Sequence, residues 1–252
     1  MNSNDKLDGI EKKRGRRLNL GKDKTAVPGK EMTASPLSQG WAEKVYGLFA
    51  PKYPASRSYR HLARRIDADL PRNDGGVSIL FTSPDSMKLT GETMLMFAYF
   101  MQDELGASVL LVDASLRSDG LGSELNCADK HGFMDLIEDD GYQIDKLIQP
   151  TRHANVSVLP GGKPEEDGIG IVNLKPEKIR KFIDAACQRF DFVLIHQGSV
   201  LADTRYILVA EQVNFVLLLA DEGHTFIDDL DTCIKKFKDH QINNIRMVLI
   251  SN

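Results

Sequence analysis

The residues that could do chemistry follow three apolar runs, and the first group lies between a short strand and a helix. Val77–Phe81 is an apolar run, Thr82–Thr90 a loop and Gly91–Leu105 a helical pattern. A strand, loop and helix in this order usually carry G-x-x-x-x-G-K-[ST], whose glycine N–H groups cradle phosphates while the lysine neutralises them. Here the loop ends in Met87-Lys88-Leu89-Thr90-Gly91. The spacing therefore predicts a phosphate-binding scaffold whose phosphate-binding residues have been replaced.

A second group ends the next apolar run, Ser108–Asp113, and continues to Ser115 and Arg117. A carboxylate such as Asp113 can bind Mg²⁺. The hydroxyl of Ser115 can order a water, but it brings no negative charge to Mg²⁺ and is not a base at neutral pH. Asp113 also suits a simpler role, because Asp often caps a loop at the end of a strand. Both interpretations of Asp113, metal ligand and loop cap, stay open.

The third group is the single imidazole of His196, at the end of the run Phe192–His196. Mg²⁺ prefers oxygen ligands, so imidazole suits it poorly. A softer metal would need further nitrogen or sulfur ligands, and no second His or Cys lies at ligand spacing nearby. We therefore interpret His196 as a structural residue.

Strands alternate with helices around these groups. The predicted strands are Val77–Phe81, Ser108–Asp113, Val156–Leu159, Phe192–His196, Asn214–Ala220 and Arg246–Ile250, and the predicted helices between them are Gly91–Leu105, Pro176–Arg189, Thr204–Gln212 and Thr225–His240. Nearly continuous Val, Ile and Leu runs that alternate with helices are typical of a parallel sheet covered on both faces. The predicted fold class is therefore α/β, a doubly wound, mainly parallel sheet.

The 252 residues, 42% of them hydrophobic and 27% charged, suit one domain and a tail. We predict a disordered basic arm over 1–38 and one domain over 39–252, with N-terminal helices in 39–72 and the core in 77–252. Three widely spaced cysteines argue against zinc sites and disulfides. No apolar run approaches the ~20 residues of a membrane span, and the N-terminus is polar, so we expect a cytoplasmic protein without a signal peptide.

The first thirty residues hold nine Lys and Arg against four Asp and Glu, whereas the whole chain has a formal charge of −4. Such an arm suits an anionic membrane surface, nucleic acid or plain solvation as a disordered tail. It has no aromatic residues to stack on bases, so we expect no nucleic-acid partner. The solvated tail and the membrane contact remain as alternatives.

Several stretches together resemble a known family. They are Phe81-Thr-Ser-Pro-Asp85, Val109–Arg117, Val156–Gly162, Phe190–Ile195, Val213–Ala220 and Asn244–Asn252. In this order and spacing they are similar to the cytoplasmic tyrosine autokinases of bacterial exopolysaccharide export, P-loop proteins related to the ParA and MinD ATPases. The resemblance covers roughly Tyr53 to the C-terminus, and it implies a P-loop NTPase-like form of the doubly wound fold.

The resemblance also shows which functional groups are replaced. The family's loop glycines correspond to Met87 and Leu89, its lysine to Thr90 and its Mg²⁺-binding Ser or Thr to Gly91. Its second and third carboxylates correspond to Ser115 and His196. The remaining nucleotide-binding candidates are Lys88, Thr90, Gly91, Glu92 and Thr93, and Asp113 is the remaining catalytic and metal-binding candidate. We expect no cofactor, and ATP with Mg²⁺ only if the loop still functions.

Two further features bear on assembly. The segment Arg57-Ser-Tyr59-Arg60-His-Leu-Ala-Arg64 resembles a family helix that contacts neighbouring subunits, which makes Arg57, Tyr59, Arg60 and Arg64 interface candidates. An amphipathic helix packed on the core would explain the same residues. The family's tyrosine-rich tail is its phosphoacceptor, and this sequence stops at Ser251-Asn252, so we expect no phosphoacceptor tail.

We interpret the chain as a degenerate, pseudokinase-like member of this family that regulates or scaffolds polysaccharide biosynthesis and export. The resemblance implies an inner-membrane polysaccharide co-polymerase or chain-length protein as partner. It implies a cytoplasmic location peripheral to the inner membrane, with the basic arm on the anionic membrane surface. The alternatives are an active ATP-dependent tyrosine autokinase with divergent motifs and a ParA/MinD-like positioning protein.

Overall fold

A mainly parallel sheet forms the centre of the computed structural model. The structure describes residues 54–69, 75–85, 87–115, 130–139, 141–151, 153–162, 174–202 and 204–250, together with residues 121, 125 and 127. The predicted arm over 1–38 and the first part of the predicted helical segment 39–72, up to residue 53, lie outside the described residues. The domain boundaries at 38 and 39 therefore stay predictions.

Strands and helices alternate along the described chain. The helices are α1 Pro54–Asp69, α2 Met87–Leu105, α3 Phe133–Glu138, α4 Ile144–Leu147, α5 Pro176–Cys187, α6 Tyr206–Ala210 and α7 Ile227–Asp239. The strands are β1 Val77–Ser83, β2 Val109–Asp113, β3 Gln149–Pro150, β4 Val156–Leu159, β5 Phe192–Ser199, β6 Phe215–Asp221 and β7 Ile245–Ile250. The sequence predicted each of the longer elements to within a few residues.

Within the described residues the strand order is β3-β4-β2-β5-β1-β6-β7. The pairs β2–β4, β2–β5, β1–β5, β1–β6 and β6–β7 are parallel, and only the short β3 runs antiparallel to β4. The first described strand, β1, thus lies inside the sheet, and the later strands lie on both sides of it. This order confirms the predicted doubly wound, mainly parallel fold.

Each face of the sheet is covered by its own apolar core. Leu80, Val193 and Leu218 point to the face that carries α5, α6 and α7. Their neighbours Ile79, Leu194 and Leu217 point to the opposite face, which α2 covers with Phe97 and Met101. Because both faces are buried, the central strands consist largely of consecutive apolar residues, which is the run pattern seen in the sequence. Burying each large side chain contributes about 1.5–3 kcal/mol.

The predicted loop Thr82–Thr90 is mostly strand and helix. β1 continues to Ser83, and α2 begins at Met87, four residues earlier than predicted. The hydroxyl of Thr82 donates to the carbonyl of Gly198 at 2.8 Å, and Ser83 pairs with Ser199 as β5 also lengthens. Hydroxyl side chains can form hydrogen bonds with neighbouring backbone groups in this way. Because these residues are polar, the apolar pattern of the sequence did not predict that β1 and β5 continue. The short elements α3, α4 and β3 were not predicted at all.

Across the described ranges, none of the helices combines the length and the apolar character that crossing a lipid bilayer requires.

Candidate functional site

The candidate residues meet where three central strands end at their carboxyl ends. β5 lies between β2 and β1, and His196 pairs in register with Asp113 on one side and Phe81 on the other. Ligands of open α/β sheets bind in the crevice at this edge, where the direction of winding changes. The topology therefore brings together Asp113 and His196, which are 83 positions apart in the sequence.

The Asp113 carboxylate and the His196 imidazole lie side by side in the interior. Nδ1 of His196 is 3.5 Å from Oδ1 of Asp113, and the side chains are only 2% and 4% exposed. The main-chain N–H of Ala114 donates to the His196 carbonyl at 2.8 Å, which joins the two strands just beyond the pair. A buried carboxylate needs a partner, because burial without one is costly. Nδ1 of His196 is the ring atom that faces the Asp113 carboxylate at this place.

Ser115 binds the same carboxylate oxygen. Its main-chain N–H donates to Oδ1 of Asp113 at 3.0 Å, and its hydroxyl donates to that oxygen at 2.5 Å. This is the local loop-capping arrangement that the sequence offered as one interpretation of Asp113. Asp113 Oδ1 is thus bound by Ser115 and faces His196.

The first turns of α2 approach the same pair. Gly91 is buried, and a Cβ atom at this position would lie 3.7 Å from Nε2 of His196. The imidazole thus occupies the space beside Gly91. The hydroxyl of Thr90 is buried and lies 3.2 Å from that of Ser83. The side chains of Met87, Lys88 and Leu89 lie outside the described part of the molecule.

The two remaining phosphate-loop candidates point in other directions. Glu92 is exposed. Thr93 is buried and forms a hydrogen bond with Tyr59 of α1. Burial raises the pKa of the Tyr59 hydroxyl, the hydrogen bond with Thr93 lowers it, and the charge of Glu92 raises it. Thr93 therefore contributes to the packing of α1 on α2. No observation tests Lys88, Thr90, Gly91, Glu92 or Thr93 as nucleotide ligands, and those assignments stay predictions.

The turn after β4 borders the site on the side of β2. A Cβ atom on Gly161 would lie 3.5 Å from Cγ of Asp113 and 3.4 Å from the Ser115 carbonyl oxygen. Cys127 also belongs to this region, because burial and then the charge of Asp113 raise the pKa of its thiol to about 11. This thiol stays protonated at neutral pH. The proximity of Cys127 could not be inferred from the sequence.

Sequence reasoning also missed a polar cluster beside this turn. Asp135 accepts a hydrogen bond from the N–H of Gly132 at 2.7 Å through Oδ2, and its Oδ1 lies 2.7 Å from Nδ1 of His131. Tyr142 reaches the same imidazole nitrogen at 3.3 Å. Asp135 accepts the N–H of the residue that precedes α3, but Gly132 has no side chain for the reciprocal half of a capping box, so the sequence carried only part of that signal.

The donor set of the site does not match Mg²⁺. Mg²⁺ binds through oxygen atoms in near-octahedral geometry, usually with one or two carboxylates and several waters. The described residues here offer the single carboxylate of Asp113, the hydroxyls of Ser115 and Thr90, and an imidazole. In the described ranges, no group of three or more His, Cys, Asp and Glu side chains is placed to hold a metal ion. Asp113 as a metal ligand stays a prediction.

The interface candidates on α1 form intramolecular contacts with α2. Arg60 and Arg64 both bind the carboxylate of Glu104, and Arg60 also lies 3.4 Å from Asp103. The Arg60 guanidinium lies over the ring of Phe100, 5.2 Å from its centroid. Tyr59 stacks on the same ring, with centroids 6.0 Å apart. The side chain of Arg57 lies outside the described residues. A contact with neighbouring subunits stays a prediction, and Arg60 and Arg64 have a packing role besides.

No family model matches the chain. Among characterised proteins it is 26% identical over 143 residues to the tyrosine-protein kinase Wzc of Salmonella typhi, covering 57% of this chain and 20% of that protein. It is 25% identical over 131 residues to the tyrosine-protein kinase Ptk of Acinetobacter johnsonii, covering 52% of this chain and 17% of that protein. The chain is a relative of the bacterial Wzc and Ptk tyrosine kinases. The matched segment is about a fifth of the length of these Wzc and Ptk relatives.

Solved structures agree on the fold of this Wzc/Ptk relative. The kinase domain of the Escherichia coli tyrosine kinase ETK superimposes with a TM-score of 0.70 at 16% identity, covering 90% of this chain and 85% of that one. The MinD cell division protein of Aquifex aeolicus superimposes with a TM-score of 0.51 at 18% identity, covering 69% of this chain and 68% of that one. The fold is therefore P-loop-like, of the tyrosine-kinase and ParA/MinD type.

Proposed function

We propose that this chain is a degenerate, pseudokinase-like member of the exopolysaccharide tyrosine-autokinase family. In this role it regulates or scaffolds polysaccharide biosynthesis and export and does not transfer phosphate. It acts in the cytoplasm, peripheral to the inner membrane, with an inner-membrane chain-length or co-polymerase protein as its partner. The kinship with Wzc and Ptk supports the family, and the composition of the site supports the loss of chemistry.

The observation on which this proposal rests is the position of His196. Its imidazole stands where the family's third carboxylate belongs by sequence, and it lies against Gly91, where the family's Mg²⁺-binding hydroxyl belongs. The His196 imidazole fills the space beside Asp113 in which Mg²⁺ would need a further oxygen ligand. The buried site therefore offers the cation an imidazole in place of a second carboxylate.

Loss of the phosphate-loop groups supports the same conclusion. In P-loop proteins the lysine contacts the β- and γ-phosphates, and the hydroxyl after it binds Mg²⁺. Thr90 and Gly91 occupy these two positions, so neither the positive charge nor the hydroxyl is in its place. Phosphoryl transfer depends almost entirely on positioning and charge stabilisation by such groups. Their joint replacement is therefore expected to abolish transfer.

Isothermal titration of the purified full chain with ATP or ADP and Mg²⁺ tests the proposal. We expect no binding heat at nucleotide concentrations that saturate ordinary P-loop proteins. Intact-mass spectrometry after incubation with Mg-ATP should likewise show no added phosphate. Micromolar binding that disappears in Lys88→Ala, or a time-dependent gain of phosphate, would overturn the proposal and favour an active tyrosine autokinase.

The membrane location has a separate test. The basic cluster Lys12–Arg17 should attract anionic lipid with about 1 kcal/mol per charge near the surface, and less as salt rises. Sedimentation with anionic vesicles should therefore separate the full chain from a variant lacking residues 1–38. Equal binding by the two proteins would remove the membrane role of the arm without affecting the scaffold proposal.

The partner is tested by co-purification. A co-expressed inner-membrane chain-length protein should bring this chain down from a detergent extract, and a detergent-solubilised membrane protein of unrelated function is the control. Equal recovery with both membrane proteins would contradict the partnership. The arginines of α1 are poor positions for a charge-reversal test, because Arg60 and Arg64 bind Glu104 within the chain.

A further inference from the structure

Exposed apolar side chains gather at one edge of the sheet. Among the described residues, five large hydrophobic side chains are exposed, and four of them belong to the β6–α7–β7 unit. Phe226 and Ile227, at the start of α7, are 72% and 75% exposed, and Met247 and Leu249, on β7, are 57% and 61% exposed. We call these four residues the β7 surface. Single exposed apolar residues are ordinary, but four large ones in a single β–α–β unit point to an interaction site.

The strand register places the members of the β7 surface on one side of the sheet. Met247 pairs with Leu218 and Leu249 with Ala220, so both point to the face that carries α7. The main-chain N–H of Glu222 donates to the Ile250 carbonyl at 2.9 Å, which holds the end of β7 beside the loop that leads to Phe226. α7 packs inward through Cys233 and Phe237 and leaves Met247 and Leu249 uncovered.

β7 is also an edge strand. In the part of the chain that the structure describes, β7 has a single neighbour, β6. Natural proteins usually protect an exposed edge with charged residues, bulges or proline. Of these protective features, β7 has one charged residue, Arg246, whose guanidinium lies 5.6 Å from the centroid of the Phe215 ring. An edge with exposed Met247 and Leu249 is thus suited to receive another polypeptide segment.

The charges next to Phe226 and Ile227 along the chain are negative. Between Asp221 and Asp231 the chain carries five carboxylates and no Lys or Arg, and Glu222, Asp228 and Asp231 are exposed. The lysines of α7 lie in its second half, away from Phe226 and Ile227. The part of the β7 surface formed by Phe226 and Ile227 is therefore both apolar and flanked by carboxylates.

This charge pattern decides between the possible occupants. A second copy that pairs through the same surface would bring the carboxylates of one chain towards those of the other, because a twofold interface is isologous. An anionic lipid surface is repelled for the same reason. A polypeptide segment with apolar anchors beside Lys or Arg matches both features. We propose that the β7 surface is the docking site of a cationic amphipathic segment of another protein.

The proposal includes no residue of the Asp113–His196 site, so it does not depend on whether nucleotide binds. The test measures binding of a fluorescein-labelled synthetic amphipathic helix of Leu and Lys to the full chain by anisotropy. The same peptide with Glu in place of Lys is the charge control. We expect saturable binding of the cationic peptide only, weakening as NaCl rises from about 0.05 to 0.5 M because salt screens exposed charges.

Variants then locate the site. Phe226→Ser with Ile227→Ser should weaken binding at least about tenfold, because two large apolar anchors are lost. Asp228→Asn with Asp231→Asn should weaken binding by about threefold or more, and mainly at low salt. Leu201→Ser, at the fifth exposed large hydrophobic residue of the described ranges, and Glu177→Gln, an acidic residue on α5, are the matched controls and should bind as the native chain does. Circular dichroism confirms that each variant is folded.

Three results would overturn the proposal. Unchanged affinity in the Phe226 and Ile227 double variant would show that the peptide binds acidic surface in general. An equal loss of affinity in the Leu201→Ser and Glu177→Gln controls would show that binding is not specific to the β7 surface. A dimer in sedimentation velocity that dissociates in Met247→Ser with Leu249→Ser would assign the β7 surface to a second copy of this chain.

Discussion

Nδ1 of His196 lies 3.5 Å from Oδ1 of Asp113 at the adjoining ends of β5 and β2, with both side chains buried. The same imidazole is next to Gly91 at the start of α2, and the same carboxylate oxygen accepts two hydrogen bonds from Ser115. In a P-loop-like fold this is the place where a metal-bound nucleotide would need oxygen ligands. Here the Asp113 carboxylate has Ser115 and His196 of the same chain as its neighbours.

The first prediction concerns this buried pair. His196→Asp places a second carboxylate beside Asp113, and two neighbouring buried carboxylates cannot both ionise without cost. We expect a loss of about 2–4 kcal/mol in the free energy of unfolding, measured in urea. His196→Asn removes the imidazole without adding a negative charge and should lose about 1–2 kcal/mol. Equal stabilities of the Asp and Asn variants would contradict the arrangement.

The second prediction concerns the contact of α1 with α2. Glu104 has a side chain only 8% exposed and binds both Arg60 and Arg64. Arg60→Ala should lose about 1–2 kcal/mol of stability, because it removes an ion pair and the packing on Phe100. Arg64→Ala should lose about 0–1 kcal/mol, because the Arg64 side chain is 68% exposed. Thermal or urea unfolding of the two variants and of Glu104→Gln provides the comparison. A larger loss in Arg64→Ala than in Arg60→Ala would be inconsistent with this contact.

The third prediction compares two glycines near the site. A Cβ atom on Gly132 would lie 1.9 Å from the Pro160 carbonyl oxygen, whereas one on Gly161 would approach no atom closer than 3.4 Å. Gly132→Ala should therefore destabilise the protein by about 3 kcal/mol or more, because main-chain atoms must move. Gly161→Ala should change stability by less than about 1 kcal/mol. The melting temperatures of the two variants test this order, and the reverse order would disprove the approach of Gly132 to the β4 turn.

The fourth prediction concerns pH. Burial raises the pKa of Cys127, Cys187 and Cys233 to about 11. A group whose pKa is raised in the folded state contributes stability that is present below the unfolded pKa and is lost as pH rises through the folded pKa. The contribution of these thiols should therefore be constant up to about pH 8 and fall between pH 9 and about 11, by at most about 1.4 kcal/mol for each unit by which a pKa is raised, because partial solvent screening reduces it.

Urea unfolding of the native chain and of Cys233→Ala at pH 8 and pH 10 measures this effect. The variant has one thiol fewer, so it should lose less stability than the native chain between the two pH values. An equal loss in both proteins would show that the Cys233 thiol does not contribute.

Much of the fold could be predicted because both faces of the central sheet are buried. The apolar runs around Leu80, Leu111, Leu194 and Leu218 reveal strands by themselves, and the helical patterns between them allow few topologies other than a parallel sheet. The polar ends of β1 and β5 were not visible, since Thr82 and Ser199 satisfy neighbouring backbone groups through their hydroxyls. The short α3 and α4 offered too few residues for a periodic pattern.

The sequence, through its resemblance to the tyrosine autokinases, predicted which groups occupy the positions of the phosphate loop and of the strand-end carboxylates, and those assignments stay predictions. It also determined the parallel, doubly wound architecture. Only the tertiary structure decided that His196 would face Asp113, that Arg60 and Arg64 would bind Glu104, and that Met247 and Leu249 would remain uncovered. The physical reason is that these contacts join residues from different elements, and their distances depend on strand order and packing, which no local pattern in the sequence records.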